Sequence, residues 1–525
     1  MGRKDLVSRS RDRPLRLTSP LLAALVAGLV SPVAQPHGTL PASQPSGLHA
    51  FKRSLHASQP SSLQASLDAL FADPVLARAL VGVRIEVLAD PTRVIPASVL
   101  YARDSQKLVM PASNMKLITL AVAADRLGWT FQYDTRLEAR GRIDHGTLEG
   151  DLVVMGGGDP SITGQDFGPA PLFAEWADAL TQAGIRRVNG RIIGDDRLFD
   201  REGLAQGWSW DYLTASYAAP SGALSYNENA IVVRVLPGHA AGVAATIDAE
   251  PVGHDLTIRN EVTTGPADSA AHVELSRPPG SPRLTVSGSV PVGGPAVVRG
   301  AAVDDPTRFF VEGLRLALAD HGIPVRDGVG TVDDLPATPA DGRRVIATRR
   351  SAPLSALAGY FLKVSQNFYA DMLLKTIGRA AGRPGSVVEG VRAVRETIAG
   401  WGVAPDELVM NDGSGLSRYD YLTADAVVAV LRHVWQDARL RGPFVSALPV
   451  AGRDGTLETR MRGTILDDRV EAKTGTLANV RSLSGYLETT TGKRVVFAIL
   501  ANNFIAPAGQ VDAIVERALA LVAEY

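Results

Sequence analysis

The sequence contains no cysteine in 525 residues. This absence excludes disulfide bonds, thiolate zinc sites, iron–sulfur clusters and cysteine nucleophiles. The nine histidines are scattered and include no HExxH or comparable pair, which is typical of exposed or packing histidines rather than of a metal site. We therefore predict that the protein uses no metal ion and no cofactor.

The chain also lacks a charge excess of either sign. Its 54 Lys and Arg and 55 Asp and Glu give a net charge of −1 at pH 7. No general attraction to nucleic acid or to an anionic membrane is expected, so any charged ligand must be recognised locally. With 45% hydrophobic and 21% charged residues, the composition is that of a soluble globular protein, and the length suggests two to four structural units.

A long hydrophobic run is missing as well. The apolar run Leu21–Val30 is too short to span a bilayer as a mature helix. It follows a basic start and precedes small residues near Ala34, so we interpret residues 1–34 as a signal peptide that directs the protein to the periplasm or another extracytoplasmic space. An uncleaved anchor is the alternative. We predict no transmembrane domain in the mature protein, and a flexible linker over the Ser-, Pro-, Gln- and His-rich residues 35–62.

The remaining chain has three parts with different secondary-structure patterns. Residues 63–130 combine a helical pattern with a pair of strands, whereas 131–345 alternate short β-rich runs with Gly, Pro and Asp turns and end in one helical stretch. Residues 346–525 return to helices, then consecutive antiparallel strands and an amphipathic helix without a basic face, which we expect to pack on the sheet rather than on a membrane. The pattern predicts an α+β domain split in sequence, with a mainly β insertion of two subdomains.

The stretch "PASNMKLITL" places a lysine three residues after a serine at the start of an apolar helix. A serine hydroxyl needs an adjacent base, and no G-x-S-x-G elbow occurs here. Lysine can act as that base if burial and neighbouring positive charge lower its pKa. Residues three apart share a helix face, so Ser113 and Lys116 can be in contact. Backbone N–H groups of the first turn could also hold an oxyanion.

Two further motifs follow in order. Ser365 and Asn367 form an S-x-N on a predicted helix, and Lys473, Thr474 and Gly475 form a K-T-G on a predicted strand. S-x-x-K, S-x-N and K-T-G are the signature elements of serine penicillin-recognising enzymes. Lys473 adds positive charge for a substrate carboxylate and helps keep Lys116 neutral. The absence of a side chain at Gly475 allows a ligand to lie along the strand edge.

Beyond these motifs the sequence resembles the D-alanyl-D-alanine carboxypeptidase/endopeptidases of the penicillin-binding protein four type, the low-molecular-weight class C penicillin-binding proteins. The resemblance covers nearly the whole mature chain. It includes the long insertion between S-x-x-K and S-x-N and several landmark segments: "GGGDPSIT", "GDDRLFD", "YAAPSGALSYNENA", "NDGSGLSRYDYLT" and "LPVAGRDGTLETR". It implies a β-lactamase/transpeptidase-like fold, an antiparallel sheet flanked by helices, interrupted by the insertion.

The resemblance also implies a serine peptidase that acts on peptidoglycan stem peptides through an acyl-enzyme, with β-lactam antibiotics as covalent inhibitors. Ser113 would attack the D-alanyl carbonyl with Lys116 as base. Ser365 would relay the proton to the leaving amine, and Asn367 would hold the substrate amide. DD-endopeptidase cleavage of cross-bridges is a second activity that the resemblance allows.

The same resemblance assigns the binding groups. Lys473 and Thr474 would bind the terminal carboxylate, and the N–H groups of Ser113 and Thr476 would form the oxyanion hole.

The diamino acid of many stem peptides ends in an ammonium and a carboxylate. Arg418 in "GSGLSRYD" is expected to bind that carboxylate. Asp211 in "GWSWDYL" is the expected ammonium partner, although the matching acidic position can be offset by one residue; a structural ion pair for Arg418 and a turn-capping role for Asp211 are the alternatives.

Two other functions stay open at this level. A β-lactamase or esterase on the same catalytic domain is one, although no E-x-x-L-N-like segment supplies the deacylating glutamate of class A β-lactamases. A catalytically silent peptidoglycan-binding protein is the other, and the intact catalytic motifs argue against it.

Overall fold

The structure is a computed structural model that describes residues 63–89, 93, 95–163, 171–334 and 343–525. The predicted signal peptide (1–34) and linker (35–62) lie outside the described residues. None of the helices in the described part of the chain is both long and apolar enough to cross a membrane.

A five-stranded antiparallel sheet joins the two ends of the described chain. Its order is β17-β18-β19-β1-β2, so strands from near the C-terminus pair with strands from near the N-terminus. The consecutive antiparallel strands predicted after residue 469 are thereby confirmed, and the structure shows three of them. The five strands are β1 (Leu80–Val87), β2 (Ser98–Arg103), β17 (Val470–Leu477), β18 (Val480–Glu488) and β19 (Arg494–Asn502).

Helices cover both faces of this sheet, which explains why β19 is apolar along almost its whole length. Val496, Ala498 and Leu500 point into one core, whereas Phe497 and Ile499 point into the other. The first core holds the helices α2 (Met115–Leu127), α5 (Leu354–Lys363), α6 (Asn367–Ala380), α7 (Val387–Ala399), α8 (Ala424–Gln436) and α9 (Ala438–Ala447). The second holds α1 (Leu63–Phe71) and α10 (Ala508–Ala523). The terminal helix α10 therefore packs on the sheet, as predicted.

The segment between α2 and α5 builds three smaller sheets around a separate core. The largest has the order β13-β6-β4-β3-β14, with β5 beside β4; the others have the orders β10-β11-β9 and β12-β7-β8. These strands are β3 (Asp134–Asp144), β4 (Thr147–Met155), β5 (Arg187–Val188), β6 (Ile192–Asp195), β7 (Ala230–Leu236), β8 (Thr246–Glu250), β9 (Thr257–Gly265), β10 (His272–Ser276), β11 (Arg283–Pro291), β12 (Val297–Ala302), β13 (Val329–Thr331) and β14 (Arg343–Arg350).

Two helices accompany these sheets. The helix α4 (Pro306–Asp320) is the predicted one; the helix α3 (Pro171–Gln182) was not predicted, and it buries Phe173 and Trp176 in the same core. The strand β14 spans the predicted boundary at residue 345 and pairs with β3 as far as Arg350. The domain boundaries stay predictions. A two-stranded ribbon of β15 (Leu408–Val409) and β16 (Tyr421–Leu422) brackets the loop that follows α7.

Candidate active site

Ser113 lies in a single 3-10 turn that leads into α2. The central sheet holds this turn in place. The Asn502 side chain of β19 exchanges two hydrogen bonds with the backbone of Met110, at 2.7 and 3.0 Å. The Ser482 hydroxyl of β18 donates to the Pro111 carbonyl at 2.7 Å. The position of Ser113 is therefore set by the rigid sheet rather than by a free loop.

Lys116 is completely buried and points at Ser113. Its Nζ donates to Ser113 Oγ at 2.8 Å, to Asn367 Oδ1 at 2.6 Å and to the Ser414 carbonyl at 2.9 Å. Burial lowers the pKa of Lys116 from 10.5 to about 7, because an ammonium loses its hydration inside the protein. A neutral amine in contact with a serine hydroxyl can accept its proton.

The charges around Lys116 differ from the sequence-based expectation. We expected the positive charge of Lys473 to help lower the pKa of Lys116. Instead, burial is the cause of the lowered pKa, and the carboxylates of Asp371 and Asp412 oppose it. The pKa of Lys473 is affected by Lys116: burial and the charge of Lys116 hold the pKa of Lys473 well below its usual range. Two amines therefore share one buried site next to two acidic side chains.

Ser365 and Asn367 reach the site from the junction of α5 and α6. The prediction that both lie on one helix was wrong: Ser365 sits in a turn with a φ of 61°, and Asn367 is the first residue of α6. Asn367 Nδ2 donates to the Tyr217 carbonyl at 2.9 Å, so the amide is held from the side opposite to Lys116. The turn directs both side chains toward the same cleft, which a continuous helix would not do for residues two apart.

Lys473 approaches Ser365 from β17. Its buried Nζ donates to Ser365 Oγ and to the Thr474 carbonyl, both at 2.8 Å. The Asn114 side chain donates to the Lys473 carbonyl at 2.9 Å and ties the strand to the Ser113 turn. S-x-x-K, S-x-N and K-T-G thus converge, with Ser113 and Lys116 on one side and Ser365 and Lys473 on the other.

The edge of β17 that faces away from β18 is paired with residues 449–451 near the start of the strand, and its later part suits an added strand or an oxyanion. The Ala472 N–H donates to the Pro449 carbonyl at 3.0 Å, away from β18. Because backbone groups alternate along an antiparallel strand, the N–H groups of Thr474 and Thr476 lie on the same outer edge. Thr474 Oγ1 also donates to Thr456 Oγ1 at 2.8 Å.

Gly475 lies in a tightly packed position that the sequence did not indicate. We expected its missing side chain to make room for a ligand along the strand. That role stays a prediction, and a Cβ at Gly475 would also lie 2.1 Å from Ser482 Oγ, 2.8 Å from the Pro111 carbonyl oxygen and 3.0 Å from the Ser113 nitrogen. The glycine thus allows β17 to approach the turn that carries Ser113.

Gly475→Ala should therefore reduce acylation strongly. The methyl group must push β18 or the Ser113 turn away, and overpacking of this kind typically costs about 1–3 kcal/mol of stability. Thermal unfolding and the rate of labelling by a fluorescent penicillin measure the two effects. Gly509→Ala, which has nothing within 4 Å of its added Cβ, is the matched control. A Gly475→Ala protein that is labelled at the wild-type rate would contradict this account of the strand contact.

Arg418 and Asp211 lie farther out and are less constrained. Arg418 Nη2 donates to the Tyr212 hydroxyl at 2.9 Å, and the described residues bring no carboxylate within ion-pair distance of it. Asp211 is exposed in the 3-10 turn before Tyr212 and accepts a hydrogen bond from the Ser209 hydroxyl. The Tyr212 ring meets the Tyr217 ring edge-on at 5.8 Å. Arg418, Tyr212 and Tyr217 are thus in contact one after the other, and the Tyr217 carbonyl reaches Asn367.

Several contributors to the site were not predicted. The carbonyl groups of Tyr217 and Ser414 hold Asn367 and Lys116, and the carboxylates of Asp371 and Asp412 face Lys116. Tyr217 and Asp412 belong to the segments "YAAPSGALSYNENA" and "NDGSGLSRYDYLT", whose resemblance to family landmarks was the only available signal. Across the described part of the chain, no three His, Asp or Glu side chains gather in a way that could hold a metal ion.

An antiparallel sheet between helical layers, with S-x-x-K facing S-x-N and K-T-G, defines the class of serine penicillin-recognising enzymes. Residues 63–522 match the D-Ala-D-Ala carboxypeptidase 3 (S13) family, and the chain belongs to that family. The predicted fold class, family and enzyme class are thereby confirmed.

Curated relatives agree over most of the chain. A D-alanyl-D-alanine carboxypeptidase of Actinomadura sp. (strain R39) is 34% identical over 459 residues, covering 85% of this chain and 82% of the relative. The D-alanyl-D-alanine carboxypeptidase DacB of Haemophilus influenzae is 27% identical over 401 residues, covering 75% and 81%.

Solved structures agree on the fold. The crystal structure of penicillin binding protein 4 (dacB) from Haemophilus influenzae superposes with a TM-score of 0.74 at 24% identity, covering 87% of this chain and 99% of that one. The same protein complexed with a β-lactam gives a TM-score of 0.68 at 23% identity, covering 87% and 98%.

Proposed function

We propose that this serine-type D-Ala-D-Ala carboxypeptidase acts on peptidoglycan stem peptides, with Ser113 as nucleophile and Lys116 as its base. The observation that carries the proposal is the contact of the buried Lys116 Nζ with Ser113 Oγ at 2.8 Å. Burial favours the neutral amine, and a neutral amine can take the hydroxyl proton as Ser113 Oγ attacks the carbonyl carbon of the penultimate D-alanine.

The remaining groups would complete acylation. The N–H groups of Ser113 and Thr476 would bind the oxyanion, and Asn367 would hold the substrate amide. As the tetrahedral intermediate collapses, the C–N bond breaks and the leaving D-alanine takes a proton through Ser365. Lys473 and Thr474 would bind the terminal carboxylate, whose arrival would favour the charged form of Lys473. Water would then cleave the acyl-enzyme ester and restore Ser113.

The site would also react with β-lactams, since a β-lactam presents a carbonyl and a carboxylate to the same groups; the β-lactam complex of the Haemophilus influenzae protein supports this. We further propose an extracytoplasmic location, because the substrate lies outside the cytoplasm and residues 1–34 resemble a signal peptide. DD-endopeptidase cleavage is proposed as a second activity of the same site.

The release of free D-alanine from a stem pentapeptide tests the function. The wild-type chain should release one D-alanine per peptide, and pre-incubation with penicillin should stop the release. Rapid turnover of penicillin without release of D-alanine would indicate a β-lactamase instead. Absence of both reactions would indicate a silent binding protein.

Arg418→Ala should slow hydrolysis of peptides that carry the free diamino-acid end. We propose that Arg418 binds the carboxylate of that end and Asp211 its ammonium. A hydrogen bond to a charged group contributes about 1.5–3 kcal/mol, which corresponds to a roughly ten- to hundredfold lower kcat/KM. Acylation by simple penicillins, which lack this group, should barely change.

Tyr212→Phe is the matched control for this prediction. It removes only the hydroxyl that accepts from Arg418 at 2.9 Å and should cost less than the loss of the guanidinium. Equal losses on peptides and penicillins in Arg418→Ala would show that Arg418 supports the catalytic centre rather than a side-chain pocket.

A further inference from the structure

One buried carboxylate receives hydrogen bonds from two separate segments of the chain. Asp412 has no exposed surface. Its Oδ1 accepts from the backbone N–H groups of Ser414 and Gly415, at 3.0 and 2.6 Å. Its Oδ2 accepts from the Ser417 N–H at 2.7 Å and from Trp208 Nε1 at 2.8 Å. Four donors satisfy a buried charge that would otherwise be strongly unfavourable.

The loop that Asp412 organises contacts the catalytic centre directly. The Ser414 carbonyl accepts from Lys116 Nζ at 2.9 Å. Gly415, with a φ of 79°, approaches so closely that an added Cβ would lie 1.8 Å from the Ala112 carbonyl oxygen. The loop therefore positions one of the three hydrogen-bond acceptors of Lys116 and packs against the turn of Ser113.

The same loop also contacts the segment that carries Asp211 and Tyr212. The Ser417 hydroxyl donates to the Gln206 carbonyl at 2.7 Å, and the Arg418 N–H donates to the Gly207 carbonyl at 3.1 Å. The segment 206–212 that carries Trp208 also carries Asp211. Arg418 and Asp211, the two residues proposed to bind the diamino-acid end, thus lie on segments that meet at Asp412.

We propose that Asp412 is a positioning residue that holds the base Lys116 and the pocket of Arg418 and Asp211 in one geometry. A substrate whose diamino-acid end is bound by Arg418 and Asp211 would then present its carbonyl to a base whose position depends on the same carboxylate. The inference rests on the proposed function and adds a residue through which substrate choice and proton transfer are linked.

The charge of Asp412 makes this role measurable through the pKa of Lys116. Lys116 faces the carboxyl groups of Asp371 and Asp412, which raise its pKa against the effect of burial, and the amine of Lys473 lies across the site. The pKa of the Asp420 carboxyl beside Asp412 is itself raised well above its usual range by burial and by the Asp412 charge. Removal of the Asp412 charge should therefore lower the pKa of Lys116.

Asp412→Asn in the full chain tests the inference, with the penicillin acylation rate measured from about pH 5 to 9. The acid limb should move to lower pH by roughly one unit, since one carboxylate near the base is lost. The kcat for peptides with the diamino-acid end should fall roughly ten- to hundredfold, as for lost hydrogen bonds to a charged group. A slower enzyme whose acid limb stays in place would overturn the inference, because Asp412 would then only support the fold.

Two further variants keep the test decisive. Asp195→Asn removes another buried carboxylate, which is the last residue of β6 and forms an ion pair with Arg197; it should lower thermal stability without moving the acid limb. Trp208→Phe removes only the indole N–H and should slow the diamino-acid peptide more than it slows penicillin acylation. If Asp412→Asn does not fold, equal losses on both substrates in Trp208→Phe would overturn the inference. Wild-type D-alanine release in the same assays tests the proposed function separately.

Discussion

Ser113→Ala should abolish covalent labelling by penicillin and release of D-alanine. The hydroxyl oxygen is the atom that would form the acyl ester, and no other hydroxyl in the described site accepts a hydrogen bond from Lys116. The loss should be on the order of 10⁶-fold in kcat, the scale seen when a serine hydrolase loses its nucleophile. Gel fluorescence of the labelled protein and D-alanine release measure it.

The fold should tolerate this change. Ser113 Oγ receives one hydrogen bond from Lys116, and that amine keeps the acceptors Asn367 Oδ1 and the Ser414 carbonyl. One lost hydrogen bond typically costs about 1 kcal/mol, so thermal unfolding should shift only slightly. Persistent covalent label on the Ser113→Ala protein would show that another residue is the nucleophile.

Lys116→Arg should also be inactive, although it keeps a positive charge. Arginine stays protonated in proteins and cannot accept the serine proton, and the larger guanidinium must fit a site without exposed surface. Loss of a general base typically costs roughly 10²- to 10⁴-fold. Lys375→Arg is the matched control: Lys375 is equally buried but donates to Asp200 at 2.7 Å, away from Ser113. It should lose stability while retaining label.

The pH dependence of the wild-type enzyme follows from the same amine. The pKa of Lys116 is lowered from 10.5 to about 7, so the amine is charged below that pH and neutral above it. Acylation by penicillin should therefore rise as pH increases through about 7 and then level off. An active Lys116→Arg enzyme, or an acylation rate that does not change between pH 5 and 9, would show that the amine is structural.

The sequence was sufficient for the parts of the site that depend on residue type and spacing. The three-residue interval between Ser113 and Lys116 predicted their contact, because these positions share a helix face. S-x-N and K-T-G predicted the other two sides of the cleft. The consecutive antiparallel strands β17 to β19 and the amphipathic helix α10 were likewise predicted from the sequence.

Contributions from the backbone could not be predicted in this way. The acceptors from Tyr217 and Ser414 are carbonyl groups, which every residue type supplies, so no side-chain signal marks them. The turn at Ser365 was missed because the apolar pattern of α5 continues into α6. The helix α3 was missed although its apolar spacing was present, since it lies in a region rich in Gly, Pro and Asp turns. The role of Gly475 depends on contacts with two distant segments.

Mass spectrometry of the wild-type chain after reaction with penicillin tests the central claim most directly. Trypsin should release residues 108–116 as "LVMPASNMK", in which Ser113 is the only hydroxyl side chain. We expect that this peptide, and no other, gains the mass of one intact penicillin, and that hydroxylamine removes the adduct as expected for an ester. An adduct on a different peptide, or an unmodified chain after prolonged incubation with penicillin, would contradict it.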